Sequence, residues 1–261
     1  MIRVHFKEPG KPEWKKWKKD CEQAVALLKT RKKPPYKVQE GLYKRCRDLL
    51  FAAYANKCAY CEGRLGEQSA ALVEHFRPKA GVRDLKNKVV HVKPKVPHGG
   101  YWWLAYDASN LLPTCTMCNV YTIKRGGKGE RFPLPENGFR ACKPGEEKKE
   151  RPLLVHPGYQ EPPNFKLDFD TGALKATDER GRICIEVFGL NREGLLEARR
   201  IAVMNATVHI RSCRGKRTPK AQLQFVDNHL SGQLPYSLVW RRVEDQMPKK
   251  GRRKRGRRSS F

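Results

Sequence analysis

Negative charge is what this sequence is short of: 27 Asp and Glu stand against 55 Lys and Arg, giving a formal charge of +28. Such a bias excludes a polycation binder and sets up a field that draws polyanions. Nucleic acid is the foremost partner; membrane phosphates or a merely solubilising surface are the plainer ones. Long apolar runs are missing too. No stretch of 18 apolar residues occurs, which is too little to build a membrane-spanning helix. The opening MIRVHFKEPG lacks the apolar centre of a secretory signal, so a soluble, cytoplasmic protein is expected. There is no G-x-x-x-x-G-K-[ST] stretch and hence no phosphate loop of that kind, and no internal repeat to make a solenoid.

Cysteine is not scarce. There are nine, an odd number in a chain of 261 residues, long enough to bury a core without disulfide support. Four of them form two C-x-x-C pairs, Cys58 with Cys61 and Cys115 with Cys118. Each pair offers two thiolates from one tight turn, and two such knuckles supply the four soft ligands of a tetrahedral Zn²⁺. The 53 residues between them are tolerable, because loop-closure entropy grows only logarithmically with length. A site closed by four cysteines has no open position, so the zinc is expected to build the fold and leave the reaction to other groups. Cys21, Cys46, Cys142, Cys184 and Cys213 read as ordinary residues.

Along the chain, residues 1–55 read as a helical hairpin. Trp14, Trp17, Cys21, Val25 and Leu28 make one apolar stripe, Pro34-Pro35 break the chain, and Leu42, Cys46, Leu49, Leu50 and Ala53 make a second. Residues 56–135 are irregular and rich in Gly, Pro and Cys, as a metal-centred module would be, with a basic insertion between Val82 and Gly100. Residues 136–247 read as an accessory region: a hairpin turning at Asp170-Thr171-Gly172, a third strand at RICIEVFGL, and a helix from Glu193 to about Ile210. Residues 248–261 form a basic tail with eight cations between Lys249 and Arg258. The fold class expected is α+β.

Between the knuckles stands Val73-Glu74-His75-Phe76-Arg77-Pro78, and around the second stands Asn110-Leu111-Leu112-Pro113-Thr114-Cys115-Thr116-Met117-Cys118-Asn119. An acid beside a histidine, with one Asn before and another just after the second cysteine pair, resembles the zinc-containing branch of the HNH endonucleases. More narrowly, KCAYCE, VEHFRPK, YWWLAYDASNLLPTCTMCN, Phe132-Pro133 and ERGRICIEVFGLNREGLLEARR are similar to the HNH subunit of Septu and retron-associated anti-phage systems, the PtuB-like nucleases.

That resemblance implies a ββα-metal module in which His75 is the general base, Glu74 and Asn119 hold a catalytic Mg²⁺ or Mn²⁺, and Asn110 braces the His-bearing loop. It implies hydrolysis of a phosphodiester, most naturally in DNA with RNA as the alternative, and control by an ABC-type ATPase of the same system. One departure is that the last position of the motif is Asn119 in place of His. Lys124, Arg125, Lys128 and Arg131 follow the second knuckle and are candidates for gripping phosphates, or a solvated loop. Tyr101, Trp102, Trp103 and Tyr106 could stack on bases or pack inside. The apolar faces at 13–29 and 193–210 are candidates for docking the ATPase, or for packing within one core. Two other functions suit the same residues: a non-catalytic zinc-knuckle nucleic-acid-binding protein, and a stand-alone HNH nuclease of a mobile element.

Overall fold

Helix α1 (Pro12–Lys29) begins at a proline, whose missing N–H is no loss in a first turn, and it buries Trp14, Trp17, Cys21, Ala24 and Leu28. The expected stripe is thus a core face. The computed structural model describes residues 1, 3–4, 8, 10–30, 37–66, 71–213 and 218–247. The basic tail therefore lies outside the described residues, as does the Pro34-Pro35 break. The second expected helix is two short ones, α2 (Glu40–Lys44) and α3 (Arg47–Ala53). Trp17 Nε1 donates to the Leu42 carbonyl at 2.9 Å and ties α1 to α2.

The centre is a ribbon of two antiparallel strands, β1 (Ala71–His75) and, after a long insertion, a partner strand at Leu111–Cys115. The insertion carries its own small ribbon, β2 (His91–Lys93) with β3 (Val96–Pro97), which makes Leu111–Cys115 strand β4. β4 runs directly into a one-turn helix, α4 (Thr116–Asn119). In the register Ala71 faces Cys115, Glu74 faces Leu112 and His75 faces Leu111. The acid-histidine pair is thereby held beside Asn110 at one end of the ribbon, while the second knuckle forms at the other.

The expected hairpin is present as β5 (Phe165–Leu167) and β6 (Leu174–Ala176), with Gly172 at φ 72° in its turn. The expected third strand is not: RICIEVFGL lies in helix α5 (Glu179–Val187) and the turn after it. Asp178 caps that helix by accepting from Gly181 N, and Ile183, Cys184 and Val187 fall three or four apart on the buried side. Helix α6 (Glu193–Ser212) extends the expected one by a turn's fraction, and α7 (Lys220–Leu230) and α8 (Ser237–Gln246) were not foreseen.

One hydrophobic core runs from α1 through the central ribbon to Phe188, Leu190 and Leu195, and a smaller one joins Ala202, Ala206 and Ile210 of α6 to Val239, Trp240 and Val243 of α8. Trp14 and Trp17, on the face at 13–29, and Leu195, on the face at 193–210, are inside, with relative exposures of 2, 3 and 5%, so at these residues the faces pack within the core and are not docking surfaces. Tyr101, Trp103 and Tyr106 are buried as well, so they pack and do not stack on a ligand. No helix among the described residues is long and apolar enough to cross a membrane.

Candidate functional site

The first knuckle closes through Cys58 N donating to Gly63 O at 2.8 Å and Glu62 N donating to Cys58 O at 3.0 Å, with Glu62 in the left-handed region at φ 63°. Ala59 N donates to Pro113 O at 2.9 Å, so this turn hangs from the middle of β4. The second knuckle spans the end of β4 and α4. Together they place the sulfurs of Cys58, Cys61, Cys115 and Cys118 within 4.8 Å of one another, all in buried residues. Cys61 and Cys115 Sγ are 3.9 Å apart. Four sulfurs bound at ~2.3 Å to one tetrahedral zinc stand roughly 3.8 Å apart, so the cage fits that ion.

Arg192, just before α6, sits on this cage with Nη1 3.5 Å from Cys118 Sγ and Nη2 3.8 Å from Cys115 Sγ. Burial works against its charge, but the sulfurs outweigh burial and raise its pKa. Four thiolates around one Zn²⁺ leave a net negative cluster, and a guanidinium is the natural counter-charge. Nothing in the sequence singled out Arg192.

Glu74 and His75 end β1 and are buried. His75 Nε2 lies 2.9 Å from the Ala105 carbonyl, which fixes the tautomer: Nε2 carries the hydrogen and Nδ1 the lone pair. The ring packs edge-on against Tyr43 at 4.7 Å between centroids. Burial, with the nearby charges of Lys79 and Lys128, pushes its pKa down to about 3, so the imidazole is neutral at pH 7. Asn110 Oδ1 accepts from Arg77 N at 2.7 Å, and its Nδ2 donates to Arg77 O at 3.0 Å and Leu104 O at 3.2 Å. One amide thus clamps both backbone groups of the residue two beyond His75. Arg77 in turn is held by Glu150 at 3.0 Å, and that carboxylate also accepts from Tyr101 OH at 2.5 Å and Ala141 N at 2.9 Å. Glu150 was not singled out either, because an acid 73 residues away in sequence carries no local signal.

The four phosphate candidates divide. Lys124 and Arg125 are exposed, on a groove of about 730 Å³ shared with Lys86 and Tyr121. Lys128 and Arg131 are buried, which corrects the expectation of a surface contact. Arg131 Nη2 donates to Gly127 O and Val187 O, both at 2.7 Å. Lys128 Nζ donates to Glu74 Oε1 at 2.6 Å, His75 O at 2.8 Å and Gly129 O at 3.2 Å. Its three ammonium hydrogens are all used. The chain reaches this arrangement through Gly127, at φ 97°, where any Cβ would run into the Val120 carbonyl. Lys128 N then bonds Cys118 O at 2.8 Å, and Gly129 N bonds Asn119 O at 2.6 Å. The run Gly126-Gly127-Lys128-Gly129 was the available sign of a tight return that turns its lysine inward.

The structure therefore brings Glu74, His75, Asn110 and Lys128 together beside the cysteine cage, with Asn119 half-buried at the end of α4. The chain is similar to Septu proteins. It is 35% identical to Septu protein PtuB of Bacillus mycoides (strain KBAB4) over 156 residues, 59% of this chain and 49% of that one. Septu protein PtuB of Bacillus thuringiensis is 29% identical over 154 residues, covering 59% and 44%. Septu protein PtuA of the same B. mycoides strain is 28% identical over 149 residues, which are 56% of this chain and 19% of that larger one. The chain spans about half the length of the PtuB relatives it matches. No family model and no solved structure matches it.

Proposed function

We propose that this chain is a metal-dependent endonuclease of the HNH type, acting on DNA as the nuclease subunit of a Septu-like anti-phage system. The observation that carries the proposal is the placement of a carboxylate and a tautomerically fixed neutral histidine at the end of β1, braced by Asn110 and built against a four-cysteine zinc cage. The donor set suits a hard ion. Glu74 bonds Lys128 through Oε1, so its second oxygen, with the amide oxygen of Asn119, would hold the ion; a carboxylate and an amide are what Mg²⁺ or Mn²⁺ takes while retaining water. A divalent ion held there would neutralise charge on the phosphate and on the leaving oxygen.

The protein's own groups do the rest. His75 Nδ1 has no protein partner among the described residues, and it accepts the proton of the attacking water while Nε2–H remains on Ala105 O. Asn110 keeps the ring in that orientation by fixing the loop behind it. Lys124 and Arg125 hold the flanking phosphates. The partner is the ABC-type ATPase that the resemblance implies, and it docks on surfaces other than those of Trp14, Trp17 and Leu195, which the core occupies.

Plasmid nicking with Mg²⁺, Mn²⁺ or neither tests the activity: metal-dependent strand breaks support it. One observation favours a second reading. Because Glu74 is committed to a buried ion pair, the chain can be a zinc-knuckle DNA binder in which Glu74 and His75 are structural. Such a protein shifts the plasmid in a gel and leaves it uncut under every metal.

A further inference from the structure

From Leu85 to Gly100 the chain has four lysines and no acid. Within this stretch β2 and β3 pair antiparallel, with Lys93 opposite Val96, so Pro94-Lys95 makes a two-residue turn in which Lys95 has φ 63°. Every residue from His91 to Pro97 is exposed, and Val89, Val92 and Val96 expose 43, 40 and 46% of their surface. A two-stranded ribbon with no buried face gains nothing from core packing. Its base is nonetheless firmly held. Val90 N donates to Val82 O, His98 N to Val90 O, Arg83 N to Glu130 O and Phe132 N to Arg83 O. His98, buried, bonds Ala141 O through Nε2 at 2.8 Å and accepts from Gly100 N through Nδ1. Those bonds to Glu130 and Phe132 stitch the base to the segment that follows the second knuckle, and Leu85 and Lys86 share one groove with Lys124 and Arg125.

We propose that the ribbon His91–Pro97 is an arm that lies in the major groove of B-form duplex DNA, with Lys86, Lys124 and Arg125 taking phosphates beside its base. Protein interfaces are depleted in lysine, so a lysine-rich arm free of acids points to a polyanion and away from a protein partner. The shape narrows the choice. Two strands about 4.8 Å apart fit a major groove about 12 Å wide, whereas the deep, narrow major groove of duplex RNA shuts them out and a single strand offers no groove. The register shifts between His91 and Lys93, so Val92 is the extra residue of a bulge, exposed as Val96 is on the other strand. The arm can meet phosphates with Lys93 and Lys95 and base edges, thymine methyls included, with Val92 and Val96. The proposal rests on the nuclease reading for what is done with the bound duplex, and not for the binding itself.

The test is fluorescence anisotropy of the full-length chain in buffer free of Mg²⁺ and Mn²⁺, against short duplex DNA, single-stranded DNA and duplex RNA over a range of salt. Lys93→Glu with Lys95→Glu reverses the tip, and Val92→Ser removes an apolar contact without changing the charge. Both sites are exposed, and unchanged zinc content certifies the fold. The charge reversal is expected to weaken duplex DNA binding about tenfold or more at 0.1 M salt and to lower the log–log salt slope by about 2, as for two lost phosphate contacts. Val92→Ser is expected to weaken duplex DNA binding with little effect on the other two ligands. Equal losses on all three nucleic acids, or an unchanged affinity and slope for duplex DNA, overturn the proposal. So does loss of a co-expressed protein from the purified complex while DNA binding stays intact. Ribbon-dependent duplex binding by a chain that cuts nothing with either metal upholds this proposal and removes the nuclease reading.

Discussion

Lys128 places its ammonium against one carboxylate oxygen and two carbonyls in the interior, and Glu74 is the only one of these that balances its charge. A buried ion pair costs little to replace as a pair and much to break singly. Lys128→Met is therefore expected to lower stability by about 3–5 kcal/mol, and adding Glu74→Gln to recover much of it. Denaturant unfolding of the two single variants and the double checks this; simple additivity would show that the pair is not coupled. His75→Ala should abolish metal-dependent cleavage while zinc content and DNA affinity stay near those of the parent, since the imidazole moves a proton and contributes little binding. Turnover near the parental rate would remove His75 as the base. His75 and Asn110 could be singled out in the sequence by their order around the cysteine knuckles and the HNH resemblance that this order carries. Lys128 was not, because a lysine turned inward has the same letter as one in solvent, and only the glycines around it hint at the difference.

The knuckles organise more of the chain than their eight residues suggest. Cys58–Cys61 hangs from β4 through Ala59, α4 carries Cys118, and the return loop bonds back to Cys118 and Asn119. With short, irregular segments around it, the cage should supply much of the folding free energy of this region. Elemental analysis is expected to find about one zinc per chain. Cys58→Ser or Cys115→Ser should lose the metal and the cooperative unfolding transition together. Soluble, cooperatively folding protein without zinc would show that the core alone suffices. Elements with strong patterns were readable: the Trp stripe of α1, the turn at Gly172, the alanine face of α6. RICIEVFGL was misread because four β-branched or aromatic residues favour a strand by local preference, whereas the Asp178 cap and the burial of Ile183, Cys184 and Val187 settle it as helix. In α7 only Val226 is buried, which leaves a weak apolar signal.

Across the whole molecule the core is continuous from α1 to Leu195, and of the three buried histidines, His75, His98 and His156, burial depresses the first and the last most. His156 packs at 4.7 Å from the Phe76 ring and 4.8 Å from Tyr159, accepts from Gly158 N through Nδ1, and has no partner for Nε2 among the described residues. Burial, aided by the charge of Arg77, pushes its pKa down to about 3, like that of His75. In the unfolded chain both return to about 6.5, so the unfolded state binds more protons throughout the interval between. Their contribution to stability is complete above pH 6.5 and is lost as the pH falls toward 3. Each histidine should cost about 1.4 kcal/mol per pH unit in that window, or roughly 2 kcal/mol at pH 5. The excess positive charge steepens the decline, because every proton taken up adds to a chain already at +28. Protonation of the four cysteine thiolates would also release any zinc they hold, so the informative quantity is the difference between two proteins that share the cage. His156→Phe keeps an aromatic ring among Phe76 and Tyr159 but removes the titrating group. Relative to the parent, it should lose less stability between pH 7 and pH 5, by roughly 2 kcal/mol, whatever its stability at pH 7. Denaturant unfolding at the two pH values, with zinc assayed alongside, measures that difference; parallel decline of the two proteins would mean that His156 does not set the acid limit.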